Sequence, residues 1–319
     1  MNAEPGFIRR LVAKPWLWAY VAAAAVWLVT ILFTGGRGGG EVLTAAFTFA
    51  TFSVIVGIGQ LYVVTLGPGN VDLSIPATIT LAGAVATKVM DTQDGLILVG
   101  LIVALACGVA VGCFNYALII ILRIPPIIAT LSSSFLIQST AIAYGRGIRI
   151  KPPAALADFT TAQVLGMPVL ALCVIALAAV MEIVLRRTVY GRWVTAIGQN
   201  MRAARLAGVN VGRTRFTAYV MSAVFAGLCG YLLSGFSGGS SLSMGEEYLL
   251  TSIALVVIGG SSVAGGYSNV PGLWGAALFL FLVVTMLNTY GFGAGLRYLS
   301  TGLIIIAVIV AASARKATR

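Results

Sequence analysis

The polar groups that could do chemistry in this chain are few, and none is arranged to make or break a bond. There is no histidine, which removes the commonest general base and metal ligand. No Ser-His or Cys-His combination exists, and no carboxylates are paired at metal-ligand spacing. A Gly-Lys-Ser/Thr signature is missing too, so ATP phosphates are not cradled by that route. Cys107, Cys113, Cys173 and Cys229 lie inside apolar runs and read as buried free thiols. What remains suits hydrogen bonding to a polar solute. Asp72 and Ser74 follow a Gly-rich turn; Thr130, Ser134 and Gln138 stand four apart on one helical face; Gly259 and Gly260 open a second Gly-rich stretch; Asn288, Gln60 and Asn115 are lone polar residues on apolar runs.

The elements that must position these groups are membrane helices. Of the 319 residues 59% are hydrophobic and 9% charged, against about a quarter charged in soluble domains. Ten apolar runs are read as crossings: Trp16–Phe33, Val42–Leu66, Val71–Val89, Leu96–Leu122, Ile127–Tyr144, Val164–Leu185, Phe216–Phe236, Leu249–Ser262, Val270–Tyr290 and Leu296–Ala312. The first, with Arg9, Arg10 and Lys14 before it, reads as a retained helix. The expectation is an all-α polytopic membrane protein of about ten transmembrane helices, forming one domain over residues 1–319. Both termini are expected on the cytoplasmic side, because that walk collects 14 of the 20 cations inside.

Two runs are too short to span. The clean apolar part of the third, Ile75–Thr87, would rise only about 20 Å against a core of roughly 30 Å. The eighth, around Ile253–Ile258, is also short. Each abuts a break, Gly67–Ser74 and Gly259–Gly266. Paired interrupted segments point to a transport site, since irregular backbone at membrane depth must be buried in protein or line a cavity. Asp72 then has two readings, a gate or solute contact and a plain helix cap shared with Ser74. The Thr130, Ser134 and Gln138 stripe either lines a path or bonds a neighbouring helix. Ser222, Ala226, Gly230 and Ser234 read as a packing stripe, and Glu182 with Arg186 as an i,i+4 pair. Glu246 and Glu247 are expected in an outer loop, where they either meet a docking protein or are simply solvated.

The stretch from Arg186 to Arg215 holds seven arginines and no carboxylate. A purely basic insert between apolar runs is a loop kept on the cytoplasmic side. Asn200 is a good N-cap, Met201–Ala207 are mostly helix formers, and Gly208 is a good terminator. That gives a helix of roughly 10 Å outside the bilayer, too short to persist unsupported.

Within this stretch Gly191-Arg192, Ala196-Ile197-Gly198, Asn200, Ala203-Ala204 and Ala207-Gly208 resemble the coupling segment of permease subunits from bacterial ABC importers of the ribose/xylose/arabinose/galactoside type. Val71-Asp72-Leu73-Ser74, Arg123–Leu131 and the Gly259–Gly266 loop extend the resemblance over Val42–Ala312. The sequence departs from the family's pattern at Gly67-Pro68-Gly69-Asn70 and at Ile75-Pro76. The resemblance implies a non-catalytic permease of the bacterial inner membrane. Its expected partners are an ABC ATPase subunit, a periplasmic or extracellular solute-binding protein, a second permease copy or paralogue, and membrane lipid, with no nucleic acid. It implies no cofactor on this chain, with ATP and Mg on the ATPase. It also implies a monosaccharide or similar small polar solute, with Gly191, Arg192, Gly198, Asn200, Ala203, Ala204, Arg205 and Gly208 transmitting motion from the ATPase. A branched-chain amino acid, nucleoside or signalling sugar is an alternative cargo. An ion-coupled secondary transporter is the alternative of another class, for which the membrane core offers few ionisable groups.

Overall fold

A computed structural model of the chain describes residues 14–36, 38–146 and 150–293, with residues 295, 296, 299, 300, 302, 303 and 306. Nine of the ten expected runs appear as helices: α1 (Pro15–Phe33), α2 (Gly39–Thr65), α3 (Ile75–Met90), α4 (Ile97–Ile121), α5 (Pro126–Gly145), α7 (Val169–Arg187), α10 (Val211–Phe236), α11 (Tyr248–Ile258) and α12 (Pro271–Thr289). The tenth run lies largely outside the described residues. Seven of these helices are long and apolar enough to cross a membrane, while α3 and α11 are shorter. The chain is thus a helical, multi-pass protein with two interrupted segments where the sequence places them. In hydrocarbon the helix is the form that satisfies its own backbone polar groups, which is why such apolar runs fold this way.

Four elements were not foreseen. A short helix α6 (Ala154–Thr161) and a two-residue hairpin, β1 (Gln163–Val164) with β2 (Met167–Pro168), fill the segment before α7. In the basic insert a helix α8 (Val189–Gln199) precedes the expected helix, α9 (Met201–Leu206). A 3-10 turn at Asp94–Leu96 precedes α4.

Helix α2 is the axis. From Ala50 onward every residue except Ser53 is buried. Gly59 abuts the Ser222 backbone of α10, Gly57 meets Leu255 of α11 and Leu273 of α12, and the Tyr62 hydroxyl donates to Met181 O of α7 at 2.6 Å. Helix α10 packs on α3 and α4 through small residues. Methyl groups added at Gly108 or Gly227 would come within 2.5 Å of Ala223 O or Ala104 O, so the backbones are already in contact. The stripe Ser222, Ala226, Gly230 and Ser234 is buried as expected of a packing face. Helix α1 lies outside, against α12, with the Tyr20 hydroxyl on Pro271 O at 2.8 Å and Phe33 against Tyr290.

These contacts sort the turns onto two ends. Lys14, Arg123, Arg186, Arg187, Arg192, Arg202, Arg205, Arg213 and Arg215 gather at one, the basic end. Among the described residues the far end has Lys88, Arg146 and Lys151, and the carboxylates Glu41, Asp91, Asp94 and Asp158. Of the cysteines only Cys229 is fully buried; Cys173, expected to be buried, is exposed on the outward face of α7.

Candidate functional site

The basic insert folds by local rules. The Thr188 hydroxyl accepts from Gly191 N at 3.2 Å to open α8, while Arg186 pairs with Glu182 at 2.9 Å one turn back. Gly191 sits in the corner between α7 and α8, where any side chain would collide with the Val184 and Leu185 carbonyls. Val194 and Ile197 bury the inner face of α8. Tyr190 stacks on Tyr62, and burial pushes its phenol pKa up. Asn200 then caps α9, its side-chain oxygen accepting from Arg202 N and Ala203 N at 3.0 Å. Gly208 closes the helix at φ +82°, with Gly208 N bonded to Arg205 O and Val209 N to Ala204 O. That is the paired-carbonyl ending a left-handed glycine allows.

Orientation separates the expected coupling residues into two groups. Arg192, Asn200, Ala203, Arg205 and Gly208 are exposed, and so is Leu206, at 90%. Ala204 is 4% exposed. It faces this chain's own core, because one side of a six-residue helix must be buried to hold it. Ala204 thus anchors α9 from within. Leu206 is an apolar side chain that α9 turns outward, and periodicity over so short a helix gave no signal for it.

Gly198 has a different task. A β-carbon there would overlap Thr65 O and Gly266 N, and Gly266 N itself donates to Thr65 O at 3.0 Å. The Gln199 side-chain amide donates to Gly266 O at 3.3 Å, and Gly265, at φ +80°, lies against Gly67. So the end of α8, the first break and the second break meet main chain to main chain. A second tether runs beside this junction: Arg186 donates to Ser268 O at 3.0 Å and Glu182 accepts from Val270 N at 3.4 Å. Gly259, expected in the solute path, is buried against Gly272 at the start of α12, and Gly260 takes φ +87° beside it. Both shape the second break.

The first break folds back along α2. Asp72 N donates to the Gln60 side chain at 3.1 Å. The Asp72 carboxylate accepts from Ser74 N (3.0 Å), Ser74 Oγ (2.6 Å) and, through its other oxygen, Ser222 Oγ of α10 (2.8 Å). Asn115 of α4 donates to Ser74 Oγ at 2.7 Å and accepts from Ser133 of α5. Asp72 and Ser74 are 1% and 0% exposed. Neither caps α3, since no side chain bonds its first-turn amides. Asp72 instead shapes the turn before the helix and ties four helices together. Nearby, Asn70 accepts from Tyr219 at 3.1 Å and Arg215 at 3.4 Å. Thr130 joins the same turn, accepting from Leu73 N at 3.1 Å with its hydroxyl directed at Val71 O. Buried groups bonded to one another in this way hold the turn in place.

The other path candidates lie apart. Ser134 is half-buried and Gln138 donates to Leu242 O at 2.8 Å, so the polar face of α5 turns toward the segment between α10 and α11. Asn288 is exposed near the far end of α12. Glu246 and Glu247 are exposed in the turns before α11, where the neighbouring Gly245 abuts Pro76 in the first turn of α3. An open groove of about 1020 Å³ at the far end, lined by Thr44, Thr48, Phe49, Thr161, Gln163 and Met167 among others, contains none of the expected path residues.

A buried re-entrant turn and a second break thus meet at the end of α8, beside the capped helix α9. The family model described as "Branched-chain amino acid transport system / permease component" matches residues 42–311. The chain belongs to this permease family. A probable ABC transporter permease protein, y4mJ of Sinorhizobium fredii, is 32% identical over 260 residues, covering 81% of this chain and 77% of the relative. The autoinducer 2 import permease LsrC of an Enterobacter species is 29% identical over 293 residues, 92% and 84% of the two chains. The ribose import permease RbsC of Escherichia coli is 28% identical over 265 residues, 81% of each. No solved structure matches the chain. As a permease of this family with seven long apolar helices, it is a multi-pass protein of the bacterial inner membrane.

Proposed function

We propose that this permease is the translocating subunit of an ATP-driven importer for a monosaccharide or similar small polar solute. The observation that carries the reading is α9: capped at both ends, anchored inward by Ala204, and offering Arg202, Ala203, Arg205 and Leu206 outward. A helix built this way is a handle for another protein. Its basic flanks fit the cytoplasmic side, which gives ten crossings with both termini inside. The partner there is an ATPase subunit holding ATP and Mg. Its closure displaces α9, and Gly198 carries that displacement to both breaks as rigid-body motion. A solute-binding protein delivers cargo at the far end, and a second permease copy or paralogue completes the path.

Relatives named for ribose, fructose and autoinducer 2 import support a sugar-like cargo. The family description favours one second reading, a branched-chain amino acid. The deciding experiment is detergent co-purification with a candidate ABC ATPase subunit, followed by uptake assays in vesicles. ATP-dependent ribose or fructose uptake meets the expectation. Uptake of leucine but no sugar supports the second reading, and failure to bind any ATPase overturns both.

A further inference from the structure

The segment between α10 and α11, residues 237–247, does not stay at the far end. It begins there, with Gly239 against Ile150 O. It then descends along α5 and α3: Leu242 meets Gln138 and Gly145, Met244 meets Gly83, and Gly245 reaches Pro76. Three rulers give the depth of its lower end at about 1.5 Å of rise per helical residue. Pro76 lies twelve residues before Lys88, which sits over Tyr144 at the far end, 4.2 Å from the ring centroid, so the drop is about 18 Å. Tyr248 lies ten residues before Ile258, which adjoins the basic-end junction, a height of about 15 Å. Ser222, bonded to Asp72 beside the start of α3, stands eleven residues above the start of α10, or about 16 Å. Against a hydrocarbon core of roughly 30 Å, Glu246 and Glu247 stand near the middle.

Both carboxylates are exposed on the surface of this chain, and among the described residues neither has a salt-bridge partner. Ser241 and Ser243, above them on the same descending segment, are exposed as well. Lipid cannot receive this surface: charges and irregular backbone at such depth must meet protein or water. Among the described residues of a second copy no cation stands at this depth either, since they lie at the two ends. We propose that Ser241, Ser243, Glu246 and Glu247 line the water-filled solute path, with the two carboxylates at mid-membrane accepting hydrogen bonds from the hydroxyls of an uncharged polyol. Fixed negative charge there rejects anionic cargo such as sugar phosphates. The cargo class rests on the importer reading above; the exposure to water does not.

The test uses the assembled importer in membrane vesicles, with Cys173→Ser introduced because that thiol is exposed. Glu246→Cys and Glu247→Cys are treated separately with a membrane-impermeant cationic methanethiosulfonate. Val109→Cys, exposed on α4 at similar depth, serves as the lipid-facing control. Labelling at least tenfold faster at 246 or 247 than at 109, slowed by ribose but not by ribose 5-phosphate, is the expected result. Labelling no faster than the control overturns the water-facing assignment. Equal slowing by the phosphate overturns the cargo class. Should the cysteine variants fail to assemble, the double variant Glu246→Gln, Glu247→Gln is measured for uptake, with ribose KM expected to rise at least tenfold at unchanged maximal ATPase rate; an unchanged KM overturns the proposal. An importer that labels as expected but moves no sugar leaves the path assigned and removes the sugar reading.

Discussion

Gly198 and Gly266 touch through their main chains, with no room for a single methyl group between them. Gly266 also donates to Thr65 O, so one backbone contact holds the end of α8 to both interrupted segments. Gly198→Ala is expected to cut uptake at least tenfold while the ATPase subunit still co-purifies, since the outward face of α9 is unchanged. Uptake and ATPase activity measured on the same vesicles check this, and tightly coupled, near-normal uptake would remove the junction from the mechanism.

Leu206 makes the complementary case. Replacing an apolar side chain that is 90% exposed should leave folding alone, because surface changes usually alter stability by less than about 0.5 kcal/mol. Leu206→Asp is expected to preserve membrane levels and detergent melting yet lose co-purification with the ATPase. Ala204→Trp is a poorer probe, because Ala204 packs inward and the ring would displace α9 itself.

Asp72 is expected to matter for stability. Its carboxylate satisfies two hydroxyls and one backbone amide in a fully buried turn. Asp72→Ala orphans all three, at a cost of about 2–4 kcal/mol. Asp72→Asn keeps the oxygen facing Ser74 and should cost less than half of that. Melting in detergent, followed by tryptophan fluorescence, ranks the two.

The caps of α9 can be tested alone. Asn200→Ala removes the acceptor for Arg202 N and Ala203 N and should destabilise the helix by about 1 kcal/mol. Faster hydrogen exchange over residues 201–206, with the rest of the protein unaffected, is the expected readout.

Much of this architecture is legible in the sequence because lipid leaves the backbone few options. The long apolar runs had to be helices, and the two short ones flanked by glycines had to be interrupted. The caps of α9 were equally plain, since Asn200 and Gly208 act on amides a few residues away. What escaped were facts about the third dimension. Which side of α9 faces outward, that Asp72 finds Ser222 across 150 residues, and that Gly198, Gly67 and Gly266 converge all depend on how helices pack, and a lone polar or glycine letter carries no partner's address. The depth we propose for Glu246 and Glu247 was hidden for a related reason. Gly238, Gly239 and four serines look like a surface loop, and only the contact of Gly245 with Pro76 points to the descent.

Because the joint at Gly198 is built from peptide groups and the absence of side chains, mutation has little to adjust there. In the mechanism we propose, residues along the conduit can drift toward new cargo while the gearing that drives them keeps its dimensions. A lineage could thus change its nutrient without rebuilding its engine, so long as three glycines and the register around them are left intact.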